Sequence, residues 1–105
     1  MVRGEVFRLR VARGTRGSEQ RRARYAVIVQ ADELLALSTV LVSPTSTAAP
    51  PRSFRPAIEL QGASTRVLIE QTTAVSTDRL GESVGRLSSS ELRYLDTALA
   101  LVFGL

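Results

Sequence analysis

The alternation of apolar and polar positions predicts a series of short strands in the first half of the chain. Apolar residues alternate with arginine over residues 6–11, and this period of two predicts a half-buried strand with a basic outer face. A polar loop follows over 13–23. The runs 25–30 and 39–43 are nearly continuous in aliphatic residues, so they predict central strands, joined by a helical or turn segment over 32–37.

The second half begins with a proline-rich segment and continues with more strand-like runs. All four prolines lie within residues 43–56, which predicts an exposed loop and places the end of the second central strand at Pro44. Residues 57–60 and 65–70 predict a strand pair across a four-residue turn, and residues 83–87 predict another short strand.

The C-terminal segment has the pattern of an amphipathic helix. Ser88–Glu91 form a capping box, and apolar residues then recur at helical spacing as far as Phe103. The predicted fold class is therefore mainly β with a C-terminal α-helix, a small and strongly bent sheet or barrel closed by that helix. A chain of 105 residues fits a single domain over residues 1–105.

Composition narrows the chemistry that the chain can perform. A hydrophobic content of 44% with 23% charged residues is typical of a globular domain. Because so small a domain buries a limited share of its surface, a homodimer would add usefully to stability. The chain has no cysteine and no histidine, which excludes disulfides, thiolate nucleophiles, Cys/His zinc sites and a histidine proton shuttle.

No apolar run is long enough to predict a membrane span or a signal peptide. The longest runs fall far short of about 18 residues, and the N-terminal segment is interrupted by charged residues. We therefore expect a cytoplasmic protein with no membrane partner.

The charge is unevenly distributed and indicates an anionic partner. All 14 cationic residues are arginine, and the formal net charge is +4. Residues 1–24 hold eight arginines against two glutamates, a net charge of +6, whereas the remainder has six arginines against eight acids, a net charge of −2. Clustered guanidinium groups bind phosphates and stack on bases, which favours nucleic acid. The alternative is a GC-rich genome that encodes arginine in place of lysine on an ordinary solvated face.

Two polar sites carry the candidate chemistry. Glu19 lies in the string Gly17–Gln20, and Arg24 follows five residues later at the entrance to an apolar run. An acid and a permanent cation at this spacing across a flexible turn can stand together beside a phosphate. The second site, Thr45 and Ser46, follows the next apolar run.

Several segments together resemble the MazF/PemK toxins, the endoribonuclease components of bacterial toxin–antitoxin pairs. The matching segments occur in order over nearly the whole chain: Arg3–Phe7, Gly17–Gln20 with Arg24, Pro44–Ser46, Val67–Gln71 and Gly85–Leu87. The spacing from the Gly-Ser-Glu-Gln string to Arg24 is the most specific of these matches.

The resemblance implies both a fold and a reaction. It implies a small CcdB/Kid/MazF-like β-barrel that acts as a homodimer and cleaves single-stranded RNA at a short preferred sequence, with no metal and no other cofactor. In that reaction a ribose 2′-hydroxyl attacks the adjacent phosphate and leaves a 2′,3′-cyclic phosphate and a 5′-hydroxyl. It also implies a cognate antitoxin that neutralises the enzyme.

The resemblance also implies roles for individual residues. Arg24 would stabilise the charge on the phosphorane, Thr45 would bind a phosphate oxygen or orient the 2′-hydroxyl, and Glu19 would act as the base. Further residues are expected to bind RNA: Arg16, Ser18, Gln20, Arg22, Ser46 and Gln71.

Two positions depart from the family pattern, and two other functions remain open. Tyr25 stands where the family usually has proline, and Thr73 stands where many members have a second arginine, which suggests altered base recognition or weaker phosphate binding.

A DNA gyrase poison of the related CcdB type is one alternative function. The other is a non-enzymatic barrel that binds nucleic acid, although its usual aromatic platform is missing because the chain has only five aromatic residues.

Overall fold

The computed structural model describes residues 1–10 and 24–105. The predicted polar loop over 13–23 lies outside the described residues. With it lie five of the predicted site residues, namely Arg16, Ser18, Glu19, Gln20 and Arg22.

The described residues form a curled antiparallel sheet with one α-helix. The elements are β1 Glu5–Leu9, β2 Arg24–Ile28, β3 Thr39–Ser46, β4 Ala57–Leu60, β5 Ala63–Val67, β6 Thr73–Ser76, β7 Leu80–Arg86 and α1 Ser89–Phe103. The strand order is β4-β5-β3-β2-β1-β7, and β6 also pairs with β3. The first part of β3 pairs with β6 and its end pairs with β5, so the sheet bends into a half-barrel. The predicted fold class, mainly β with a C-terminal helix, is confirmed.

Strand β2 is buried on both faces, which explains its continuous apolar sequence. Val27 belongs to the cluster that packs under α1 around Leu95. Ala26 and Ile28 belong to a second cluster, with Val40 and Val42 of β3. All three β2 residues are fully buried. Because neighbouring residues of a strand point to opposite faces, a strand between two apolar clusters needs apolar residues at every position.

Helix α1 begins at the predicted capping box. The Ser88 hydroxyl accepts a hydrogen bond from the Glu91 backbone N–H, and the Glu91 carboxylate accepts one from the Ser88 N–H at 2.8 Å. The Glu91 carboxylate also accepts a hydrogen bond from the Glu59 N–H at 2.8 Å, which joins the start of the helix to β4. These hydrogen bonds outweigh the effect of partial burial and lower the pKa of Glu91. None of the helices formed by the described residues is long and apolar enough to cross a membrane.

The prediction that Pro44 ends its strand is wrong, because β3 continues to Ser46. Pro44 is buried and lies opposite Ala26 of β2. On the other side of β3, the partner strand changes from β6, which pairs as far as Val42, to β5, which pairs from Thr45. Proline has no backbone N–H to donate to a neighbouring strand. It is tolerated at this point of β3 because neither β6 nor β5 pairs with β3 at Pro44. The predicted exposed loop is consequently shorter than 43–56.

The β4–β5 hairpin turns more tightly than predicted. Leu60 pairs with Ala63, so only Gln61 and Gly62 form the turn, and both have positive φ angles, 53° and 81°. Two residues in this conformation match the right-handed twist of a hairpin. Strand β5 therefore starts two residues earlier than predicted and ends at Val67, after which 69–71 form a 3-10 turn. The predicted strand 83–87 is also longer, because β7 begins at Leu80.

Candidate nucleic-acid cleft

A cleft opens between the start of β2, the end of β3 and the β4–β5 hairpin, with a volume of about 560 Å³. Its described lining residues are Arg24, Tyr25, Thr45, Ser46, Thr47, Ala48, Leu60, Gln61, Ala63, Thr65 and Leu68. Arg24 is the one charged residue in this described lining, and the hydroxyls of four Ser and Thr residues accompany it. A cation and several hydroxyls without an opposing carboxylate suit a phosphate group.

Arg24 is placed at the cleft as the first residue of β2. Its backbone lies opposite Leu9 of β1, and its side chain is exposed. Among residues 1–10 and 24–105 the structure shows no ion pair for the Arg24 guanidinium. Arg24 lines the cleft, and the five N–H donors of its guanidinium have no carboxylate partner in the described chain.

Thr45 reaches the same cleft from β3. Its hydroxyl donates a hydrogen bond to the Tyr25 carbonyl at 3.1 Å, so the side chain is held by the neighbouring strand. The hydroxyl proton is used in this bond, whereas the lone pairs of the oxygen remain available to accept. The structure therefore places Arg24 and Thr45 in the lining of the same cleft. Tyr25, one of the departures from the family pattern, lines the cleft between them.

Ser46 lines the cleft and also shapes the loop that follows β3. Its hydroxyl oxygen accepts hydrogen bonds from the backbone N–H groups of Ala48, at 3.2 Å, and Ala49, at 3.1 Å. Within the described part of the chain its proton is donated to no other group, so it can donate to a ligand.

Gln71 is not brought to the cleft. It lies in the 3-10 turn of residues 69–71, exposed, and it is not one of the cleft-lining residues. Thr73, the other departure from the family pattern, is exposed at the start of β6, opposite Val42, and likewise does not line the cleft.

An ion pair anchors the far end of the β3–β4 loop. Arg55 donates two hydrogen bonds to one carboxylate oxygen of Glu70, from Nε at 2.8 Å and from Nη2 at 2.6 Å. Arg55 also donates to the Pro50 carbonyl at 3.2 Å, and its own carbonyl accepts from Arg66 at 3.0 Å. The Arg55 guanidinium lowers the pKa of Glu70. The Arg55 guanidinium is thereby engaged with protein groups.

One wall of the cleft was not predicted from the sequence. It comprises Leu60, Gln61, Ala63, Thr65 and Leu68, all from the β4–β5 hairpin or the residue that follows it. The hairpin itself was predicted, but its position depends on the pairing of Thr45 with Val67 and of Ser46 with Arg66. This pairing joins segments about 20 residues apart, and no local pattern marks it.

The carboxylates of the described residues do not gather into a metal site. Within residues 1–10 and 24–105, no group of three or more His, Cys, Asp or Glu side chains is placed to hold a metal ion.

Comparison with known proteins identifies the family. Residues 2–103 match the family described as the PemK-like, MazF-like toxin of type II toxin–antitoxin systems, and the chain belongs to this family. A Mycobacterium tuberculosis (strain H37Rv) protein named as a candidate toxin, Rv3098A, is 36% identical and aligns over 100% of this chain and 99% of its own. The endoribonuclease MazF9 of the same organism is 35% identical over 96% of this chain and 94% of its own.

Solved structures agree with the observed architecture. An endoribonuclease in complex with its cognate antitoxin, from a mycobacterial species, superposes with a TM-score of 0.82 at 20% identity, over 100% of this chain and 96% of that one. A MazE–MazF complex from Deinococcus radiodurans gives a TM-score of 0.79 at 16% identity, over 100% and 96%. The predicted family and the endoribonuclease toxin class are confirmed, and they are favoured over the gyrase poison and the purely binding barrel.

Proposed function

We propose that the protein is a metal-independent endoribonuclease that cleaves single-stranded RNA at a short preferred sequence. Its toxin domain spans residues 1–105, and it acts in the cytoplasm. The observation that carries this proposal is the meeting of Arg24 and Thr45 in one cleft whose described lining holds no carboxylate.

The reaction is an internal transfer of the phosphodiester. The ribose 2′-oxygen forms a bond to phosphorus as the bond from phosphorus to the 5′-oxygen breaks. The 2′-hydroxyl loses its proton to a base, and the departing 5′-oxygen gains a proton from water, which gives a 2′,3′-cyclic phosphate and a 5′-hydroxyl. No redox partner is needed.

Arg24 acts on the charge that develops in this reaction. Its guanidinium can donate two parallel hydrogen bonds to the non-bridging phosphate oxygens, which gain negative charge in the transition state. Because a guanidinium is a permanent cation, this contribution is mainly electrostatic rather than acid catalysis.

Thr45 orients the attacking hydroxyl. Since its proton is directed at the Tyr25 carbonyl, its oxygen is presented as an acceptor, and the 2′-hydroxyl of the substrate is a matching donor. This arrangement supports the second of the two roles implied by the family resemblance. Glu19 is proposed as the base that removes this 2′ proton, which leaves its hydrogen bond to Thr45 as the 2′-oxygen attacks phosphorus.

Other residues are proposed to bind the RNA strand. Ser46 can donate its free hydroxyl proton to a phosphate. Arg16, Ser18, Gln20 and Arg22 are proposed from their place in the basic segment of the sequence, and Gln71 is proposed to contact RNA beyond the cleft.

The chain is also proposed to form a homodimer through the end of α1. A shallow apolar groove of about 310 Å³ lies between Leu41 of β3 and the last turn of α1, with Phe103 and Leu105 on its wall. These three side chains are 42%, 57% and 94% exposed. A second copy is the occupant that a domain of this size needs in order to bury such residues. Phe103→Glu should halve the mass in sedimentation velocity, whereas Tyr94→Glu, equally exposed but outside the groove, should not.

A cognate antitoxin is the second proposed protein partner. The net charge of +6 over residues 1–24 suits an acidic, disordered antitoxin segment that folds on the toxin and covers the RNA cleft. Co-expression of the adjacent small reading frame should restore growth and yield a copurifying complex. If co-expression neither restores growth nor yields a complex, the protein encoded by that reading frame is not the antitoxin.

Two measurements test the proposed chemistry: the chemical ends of the RNA products, and the need for a ribose 2′-hydroxyl at the cut site. With EDTA present, the purified protein should produce cyclic phosphate and 5′-hydroxyl ends, and one 2′-deoxyribose at the cut site should abolish cleavage. Thr45→Val should slow cleavage by about tenfold, whereas Thr45→Ser should largely retain it. Cleavage of the 2′-deoxy substrate would contradict the mechanism, and intact RNA with trapped gyrase would favour the gyrase poison.

A further inference from the structure

Thr65 presents a buried hydroxyl for which the described chain offers no partner. Its residue is only 4% exposed, and it lines the cleft. Within residues 1–10 and 24–105, the structure shows no hydrogen bond made by the Thr65 hydroxyl. In the same residues, every side-chain N or O atom that is fully buried has a hydrogen-bond partner. Thr65 therefore lines the cleft without a hydrogen-bond partner from residues 1–10 and 24–105. Its hydroxyl can then exchange a hydrogen bond to water in the cleft for one to a bound ligand.

The sheet register places this hydroxyl near the reaction site. Thr45 lies directly opposite Val67, and Thr65 is two residues further back along β5. Opposed residues and alternate residues share one face of a sheet, so the side chains of Thr45 and Thr65 are diagonal neighbours. Such neighbours are about 7–8 Å apart, so a group bound by Thr45 lies close to the Thr65 hydroxyl.

Apolar side chains surround Thr65 within the cleft. Leu60 and Leu68 are 8% and 9% exposed, and Ala63 completes this part of the wall. Leu60 belongs to the core under α1, so the wall is held by the packing of the domain rather than by a loop. A flat ring fits an apolar wall, and one hydrogen-bonding group can then read its edge.

We propose that Thr65 is a specificity-determining residue whose hydroxyl hydrogen-bonds the edge of the nucleobase next to the scissile phosphate. Leu60, Ala63 and Leu68 contact the face of that base. A threonine hydroxyl can donate or accept, so it can bind an exocyclic amino group or a carbonyl. This inference rests on the proposed function, because it assigns one base of the same RNA substrate.

The test compares Thr65→Val, which keeps the shape and removes the hydroxyl, with Thr65→Ser, which keeps the hydroxyl. Each variant and the wild type would cleave a pool of random single-stranded RNA, and sequencing of the new ends gives the base preference at every position. Thr65→Val should lose about tenfold in discrimination at one position beside the cut and keep the others, whereas Thr65→Ser should retain all of them. Unchanged preferences in Thr65→Val, or the same loss in Thr65→Ser, would overturn the proposal.

Two further measurements distinguish a failure of the Thr65 proposal from a failure of the proposed endoribonuclease activity. Thermal unfolding of Thr65→Val should match or exceed that of the wild type, because an unpaired hydroxyl is replaced by a methyl group. A clear loss of stability would show an internal partner and overturn the proposal. Binding of 2′-deoxy oligonucleotides that differ in one base is the second readout. If the wild type distinguishes them, Thr65→Val does not, and the wild type cleaves no RNA, the proposed enzyme fails while the base-reading role of Thr65 stands.

Discussion

Breaking the Arg55–Glu70 ion pair should destabilise the protein measurably and in a pH-dependent manner. The side chains of Arg55 and Glu70 are 19% and 28% exposed, so solvent screens the pair only in part. Fully exposed pairs contribute about 0.2–1 kcal/mol, and hydrogen bonds to charged groups contribute about 1.5–3 kcal/mol. Two short hydrogen bonds to one oxygen of a partly exposed carboxylate place the coupling energy at about 1 kcal/mol.

The pH dependence follows from the pKa of Glu70. Arg55 lowers this pKa below its ordinary value of 4.5 in the folded state. The stabilisation is therefore complete above pH 4.5 and is lost as the pH falls through the folded-state pKa.

A double-mutant cycle with Arg55→Met and Glu70→Gln isolates this energy. Urea unfolding of the four proteins at pH 7, and at a series of pH values below 4.5, gives the coupling at each pH. Glu82→Gln, which alters an exposed carboxylate that makes no ion pair within the described residues, is the control. A coupling energy below about 0.3 kcal/mol at pH 7, or one that does not fall in acid, would refute the reasoning.

Three predictions concern the fold and are measured by urea unfolding. Gly4→Ala should cost about 2–4 kcal/mol, because φ is +88° and the new Cβ would lie 2.7 Å from a Leu92 methyl, whereas Gly62→Ala, with φ +81° and open space, should cost about 1 kcal/mol. Equal costs would contradict this steric account. Ser88→Ala should cost about 1 kcal/mol by removing the cap of α1, and no loss would mean that the capping box is dispensable. Leu95→Ala should cost about 2–5 kcal/mol because Leu95 is fully buried, and a cost below 1 kcal/mol would contradict its central position.

Local patterns were sufficient to predict the parts of the fold whose hydrogen bonds are local. The capping box predicted the start of α1 because its donors and acceptors lie within four residues. The continuous apolar run predicted β2 because that strand is buried on both faces. Arg24 and Thr45 could be paired in advance through the family motifs, and the antiparallel register of β2 and β3 brings them to one cleft.

Features that depend on distant pairing could not be predicted. Proline usually ends a strand, and only the change of partner from β6 to β5 explains why β3 continues through Pro44. Thr65 gave no signal in the sequence, because a threonine in a strand is ordinary until the register places its hydroxyl in the cleft. Gln71 was assigned by its neighbours in a motif, yet the 3-10 turn of residues 69–71 holds it away from the cleft lining.

The most direct test of the central claim is RNA cleavage by Arg24→Ala beside a variant that loses the same charge elsewhere. Arg93 is a suitable control because it is exposed on α1 and does not line the cleft. With EDTA and a long single-stranded RNA, the wild type and Arg93→Ala should make the same discrete cuts, and Arg24→Ala should be slower by about 10²- to 10³-fold. Wild-type cleavage by a folded Arg24→Ala protein, or an equal loss in Arg93→Ala, would contradict the account.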